Sequence, residues 1–228
     1  MIVVVGNPAW RLATPDAAAA PVGRAASIAI AAAGAGARVE LVGRAGDDDA
    51  GDRLLIALAA AGVGHVALLR DPARGTVLEA VPAAAAFDDE AGAEPASPLD
   101  ADDMDEPDSL PATPGGGPVL EAADVAMGLR YLTDFTVLVF VDRGPASALP
   151  VVVEAAAYAE AHLIVLVPQD APIPDGIPAD ATALAAPSID RDGAFARLVG
   201  TFAAALDRGE DPSAAFRTAV SGQGWEPA

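Results

Sequence analysis

The stretch from Gly34 to Val66, GAGARVELVGRAGDDDAGDRLLIALAAAGVGHV, constrains this chain more than any other, because its punctuation spells one strand-turn-helix-turn-strand unit. Val39, Leu41 and Val42 form a short apolar strand, and GRAGDDDAG supplies a turn and an acidic helix start. Leu54, Leu55, Leu58 and Ala61 then recur at helical spacing, and Gly62 and Gly64 end the helix.

The same alternation runs along most of the chain. Strands are predicted at Ile2 to Val5, His65 to Leu69, Thr76 to Val81, Thr136 to Val141, Leu163 to Val167 and Ala181 to Ala185. Helices are predicted at Gly23 to Ala33, Asp49 to Ala61, Leu120 to Leu129 and Ala148 to Ala161, then at about 191 to 208 and 212 to 220. Such β-α-β alternation implies a three-layer α-β-α fold with a mostly parallel central sheet and right-handed crossovers. Ligands of such sheets bind at the carboxyl ends of the strands.

Composition limits the function classes. The chain has 228 residues, 53% of them apolar, which suits a single domain spanning 1–228 with one substantial core. With no cysteine there is no disulfide, thiolate catalysis or cysteine-ligated metal. A net charge of −20 opposes binding to nucleic acid or anionic membrane. All 13 basic residues are arginine, so Schiff-base chemistry and a lysine phosphate clamp are excluded. A GC-rich genome or a high-salt cytoplasm would each account for the missing lysine. MIVVVGNPAW lacks the basic flank of a signal peptide, and no apolar run approaches the ~20 residues that span a bilayer. The expected location is cytoplasmic.

Half of the excess negative charge is local. Residues 87 to 109 carry ten carboxylates, no arginine and three prolines, without hydrophobic periodicity. That is the composition of a solvated insertion, set at 87–117 with Gly115 to Gly117 as its return to the fold. Asp100, Asp102, Asp103 and Asp105 alternate like the start of a calcium loop, but the glycine and glutamate that such a loop needs further on are missing. His65 and His162, the only histidines, sit at strand starts among apolar residues and read as core or edge histidines.

The Gly34 to Val66 block resembles the N-terminal half of the ribokinase-like (PfkB) carbohydrate kinases, where LGA-x-V-x-LVG-x-VGDD-x-x-G follows a glycine-rich sugar-binding helix. In that family the block is scaffold and the chemistry lies elsewhere. VVVGNPAWRL resembles the family opening, but the aspartate that holds sugar hydroxyls is Arg11 here, a donor that fills sugar space. PVGRAASIAIAAAGAGA resembles GGKGANVAVAAARLGA, with Val22 and Gly23 at the glycine pair, Arg24 for lysine, Ala25 for the next glycine and Ser27 for asparagine. The resemblance thus assigns the sugar to Asn7, Arg11, Gly23, Arg24 and Ser27, about half of them altered.

The family's closing motif, D-T-x-G-A-G-D-A-F, builds an anion hole at a helix N-terminus, and its last aspartate deprotonates the acceptor hydroxyl. It falls on Asp190 to Leu198, anchored by FAAALDRGEDPSAAFRTAV. Asp190, Gly193 and Ala194 remain, with Asp192 nearby as a remnant, whereas the second glycine is Phe195 and the catalytic aspartate is Ala196. Losing a positioned base costs ~10² to 10⁴ in rate. The P-N-x-x-E segment that organises magnesium and phosphate is reduced to Pro187, with Ser188 for asparagine and Arg191 for glutamate. The resemblance implies that the nucleotide half is shortened away.

These departures point to a sugar-kinase homologue without phosphotransfer, a pseudokinase with a structural, regulatory or sugar-sensing role and no expected cofactor. The alternative is an active carbohydrate or nucleoside kinase using ATP and magnesium, with Asp190 or Asp192 as base. A third reading is a protein-interaction module acting through the acidic insertion. A small-molecule sugar is the expected ligand, and the resemblance implies a homodimer formed through a small β lid to which Thr76 to Val81 contributes.

Overall fold

The computed structural model describes residues 1–15, 17–79, 116–141, 146–190 and 192–222. The acidic stretch, apart from residues 116 and 117, lies outside the described residues, as does Arg191. In chain order the elements are β1 (Ile2–Val5), β2 (Ala9–Arg11), β3 (Ala20–Val22), α1 (Arg24–Gly34), β4 (Val39–Gly46), α2 (Asp49–Ala60), β5 (Val63–Gly64), β6 (Leu68–Asp71) and β7 (Leu78–Glu79). There follow α3 (Ala122–Tyr131), β8 (Val137–Phe140), α4 (Leu149–Tyr158), β9 (His162–Pro168), β10 (Thr182–Ala186), α5 (Ala194–Asp207) and α6 (Pro212–Ser221).

The central sheet runs β10-β9-β8-β1-β4-β5, with β6 also pairing β4, and each of these pairings is parallel. β1 and β8 read IVVV and VLVF and are buried throughout. A parallel strand covered on both faces has no solvent side, so it reads as an unbroken apolar run rather than an alternation. Ile2 and Val4 enter one core with α1, α2, α5 and α6, while Val3 and Val5 enter the other with α3 and α4. The chain moves from β1 toward β4 on one side and later from β8 toward β10 on the other. The strand order therefore reverses between β1 and β8, where ligands of open α/β sheets bind.

Three details depart from the sequence reading. The predicted strand at His65 to Leu69 is two short strands, β5 and β6, because the Leu68 amide turns back to the His65 carbonyl. β4 extends beyond Val42 to Gly46, where β6 gives its backbone a partner in register from Gly43↔Leu68 to Gly46↔Asp71. The unforeseen β2 and β3 pair antiparallel, and β7 joins β2 to complete a small three-stranded sheet. Trp10 carries that sheet into the first core, and β3 packs on α1 and α2. Among the described residues, no helix is long and apolar enough to cross a membrane.

Candidate functional site

Two clusters meet at the carboxyl end of the sheet. The first lies where β4 hands over to α2. Asp48 caps α2, accepting from the Gly51 amide at 2.7 Å, the Thr76 amide at 2.8 Å and the Thr76 hydroxyl at 2.7 Å. Thr76 Oγ1 in turn accepts from the Gly46 amide at 3.0 Å. Burial pushes the Asp48 carboxyl up, but the Thr76 hydroxyl, the two amides and the Arg70 charge outweigh it and hold the group below the usual carboxylate range. A Cβ at Gly46 would lie 2.2 Å from the Thr76 nitrogen, and one at Gly51 would lie 2.2 Å from the Gly46 oxygen. Both glycines are there for close backbone packing.

Beside this cap, Arg44 forms a fork on Asp124, with Nε to Oδ2 at 2.8 Å and Nη2 to Oδ1 at 2.9 Å, and reaches Asp71 at 3.4 Å. Asp71 and Asp124 are 7% and 8% exposed. Asp124 also accepts the Glu121 amide at the start of α3, so one carboxylate ties β4 to that helix. The hydrogen bonds that Arg44 donates to Asp124 raise its pKa against the opposing effect of burial. Burial pushes Asp124 up, but the Arg44 hydrogen bonds, the Glu121 amide and the Arg44 charge hold it low. This network was not anticipated from the sequence; its signal was an arginine between two glycines where an apolar strand ends.

Asn7, expected at the sugar, stands in the same crevice and is engaged at both ends. Its Nδ2 donates to the Pro118 carbonyl at 2.7 Å, and its Oδ1 accepts the Arg44 amide at 2.8 Å. Arg11 is on β2, its backbone in register with Ala20 and Glu79 and its Nη2 donating to the Ala18 carbonyl at 3.4 Å. It belongs to the small sheet, and its guanidinium is turned to the backbone of the segment that leads into β3.

The second cluster is at the facing starts of α1 and α5. Gly23 precedes α1, and its carbonyl accepts the Ser27 amide at 2.9 Å. Arg24 donates to the Pro187 carbonyl, and its guanidinium carbon sits 5.7 Å from the centroid of the Phe195 ring. Phe195 is 8% exposed and packs into the first core. The position between the two helix starts is thus filled by the Arg24 and Phe195 side chains.

At α5 itself, Gly193 is the N-cap in a left-handed conformation, followed by Ala194 as the first helical residue. The Asp190 carboxylate accepts the Phe195 amide at 3.1 Å and the Ala196 amide at 2.9 Å. Amides at a helix start form a ready anion site, and here a carboxylate of the same chain engages two of them. Asp192 is exposed, and its carbonyl accepts from Arg197. An anion at the start of α5 would have to displace Asp190 from those two amides. Of the residues expected at the site, Arg24 meets Pro187 and the Phe195 ring, Asp190 accepts the amides at the start of α5, Asn7 lies with Arg44 and Pro118, and Arg11 lies on the small sheet.

Two cavities open elsewhere. One of about 540 Å³ lies between α4 and the 174–176 segment, and another of about 460 Å³ lies between β10 and α6. Neither is lined by Gly23, Arg24, Ser27 or Gly193. His162 Nε2 lies 2.8 Å from Thr182 Oγ1 across β9 and β10, and burial, against a weaker pull from Asp180, lowers its pKa.

No family model matches this sequence, and no curated protein does so either. Solved structures do. The ribokinase of Arabidopsis thaliana, solved with ribose and ATP, is 15% identical with a TM-score of 0.61, over 97% of this chain and 90% of that one. The ribokinase of Cryptococcus neoformans, solved with ADP, is 16% identical with a TM-score of 0.57, over 98% and 92%. A protein named Sa239 is 13% identical with a TM-score of 0.61, over 100% and 94%. Identities this low speak to architecture alone, and the architecture is that of the ribokinase-like sugar kinases.

Proposed function

We propose that this chain is a ribokinase-like protein that does not transfer phosphate, its role being structural or regulatory. One observation carries the reading: Phe195 and Ala196 stand at the start of α5, 8% and 2% exposed, with their side chains packed into the first core. In the family resemblance those two positions hold the second glycine of the anion hole and the catalytic aspartate. A phenyl ring stands in place of that glycine, and a methyl group stands where the base would be. Alanine accepts no proton, and losing oxyanion-type donors removes a further ~10² to 10³ in rate.

The sugar contacts support the same reading. Asn7 is engaged by Pro118 and Arg44, and Arg24 by Pro187 and the Phe195 face. A hydroxyl-rich ligand would have to compete with bonds already made inside the fold, and a buried polar group exchanges partners only at the expense of its existing ones.

One observation favours the active-kinase reading: Asp192 is exposed at the start of α5, within reach of solvent. Pure protein incubated with ATP, magnesium and a panel of sugars and nucleosides separates the two. The expected result is no ADP above the protein-free control. Formation of a phosphorylated sugar, abolished by Asp192→Asn, would establish the kinase and end the pseudokinase reading.

A further inference from the structure

Two peptide bonds of this chain join aspartate to glycine, Asp175 to Gly176 and Asp192 to Gly193. With no Cβ beside it, a glycine nitrogen is the least hindered backbone nucleophile for the carboxyl of the residue before it. The equivalent route through asparagine is closed, because Asn7 is the only asparagine and the proline after it has no amide hydrogen.

The fold treats the two bonds differently. At the start of α5 the Gly193 amide donates to the Asp190 carbonyl at 3.2 Å, and the Gly193 carbonyl accepts the Arg197 amide at 2.9 Å. The Asp192 carbonyl accepts from the Arg197 guanidinium, so the bond is held on both sides. Asp175 and Gly176 lie instead in a turn between β9 and β10, both exposed, with Gly176 at a φ of 88°. Apart from the adjacent residues, no atom lies within 4 Å of where a Gly176 Cβ would stand. Among the described residues, neither the Gly176 amide nor the Asp175 carboxylate has a hydrogen-bond or ion-pair partner.

We propose that Asp175 is a site of spontaneous isomerisation to isoaspartate, and that the fold protects Asp192 from the same reaction. The Gly176 nitrogen attacks the Asp175 side-chain carboxyl carbon, the amide hydrogen and the carboxyl hydroxyl leave as water, and a succinimide ring closes. Water then reopens the ring. Addition at the former side-chain carbonyl restores aspartate, and addition at the main-chain carbonyl leaves isoaspartate. One water leaves and one returns, so the reaction needs no oxidant, reductant or co-reactant. The product lengthens the backbone by a methylene and moves the carboxylate onto the α-carbon, at the rim of the cavity of about 540 Å³ that both residues line.

The two bonds serve as each other's control. The full chain is incubated folded at neutral pH and digested, and both peptides are read for isoaspartate by electron-transfer fragmentation. Methyl transfer from labelled S-adenosylmethionine by an isoaspartyl methyltransferase gives a second readout on the same peptides. Isoaspartate is expected about tenfold faster at residue 175 than at residue 192, the rate equivalent of one hydrogen bond that must first be broken at Gly193. In guanidinium chloride the two rates should converge, because the protection belongs to the fold. Equal rates in the folded chain, a faster reaction at Asp192, or a difference that persists in denaturant would each overturn the proposal.

Discussion

The starts of α2 and α5 use one device to different ends. At each, an aspartate just before the helix accepts backbone amides: Asp48 takes Gly51 and Thr76, and Asp190 takes Phe195 and Ala196. At α2 the carboxylate is held by Thr76 and the Gly51 amide, Arg70 donates to the Asp48 carbonyl, and the loop's glycines allow no Cβ, so the contact is part of the framework. At α5 the carboxylate accepts two amides of the helix start, the region to which the family resemblance assigns an anion hole. A helix start can be structural or catalytic with the same amides, and what decides is whether the chain supplies its own anion.

The difference can be attacked first where the framework is tightest. Gly46→Ala or Gly51→Ala puts a methyl group 2.2 Å from backbone atoms and should destabilise the fold by about 3 kcal/mol, read as a lowered midpoint in urea. Arg44→Ala leaves Asp71 and Asp124 buried without their cation, a loss of about 3 kcal/mol that a normal denaturation midpoint would disprove. Asp48→Ala strands the Thr76 and Gly51 amides, at about 2 kcal/mol by the same measurement.

The second helix start should respond differently. Asp190→Ala removes a cap worth about 1 kcal/mol, and it also frees the amides of Phe195 and Ala196. Inorganic phosphate should then raise the melting temperature of the variant more than that of the unaltered chain. Equal stabilisation of both would mean that Asp190 does not compete with anions.

The smallest effect is the pH dependence at His162. Its folded pKa is lowered, so the unfolded chain binds the proton more readily and stability is lost as pH falls below about 6.5 toward the folded value. His162→Gln should flatten the change in melting temperature between pH 7.5 and 5.5; an unchanged slope would remove His162 from the account. Asp48 and Asp124, held low, keep their contribution above about pH 3.9 and lose it only as pH falls through their folded values, outside that window.

The fold was legible where burial writes directly into sequence. IVVV, VLVF and the run from Leu163 to Val167 are central parallel strands, and an unbroken apolar run between turn signals has few other readings. β2 and β3 were not legible, because AWR and APV are three residues each, one contains proline, and the pairing depends on a distant third strand. β4 was cut short for a related reason: GRAG has no apolar pattern, and only its pairing with β6 keeps it extended.

At the candidate site, sequence could show which groups the family resemblance expects and the chain lacks, such as an aspartate at the position of Ala196. It could not show what occupies the space. The Asp190 carboxylate on two amides, and Arg24 over Phe195, arise from tertiary placement of residues whose types alone are compatible with ordinary solvated turns.

Isothermal titration of the unaltered chain with ATP and magnesium tests the central claim most directly. Phe195 and Ala196 at the start of α5, with Asp190 on their amides, predict no saturable heat of binding. A saturable one-to-one isotherm, weakened by substitutions at the start of α5, would contradict it.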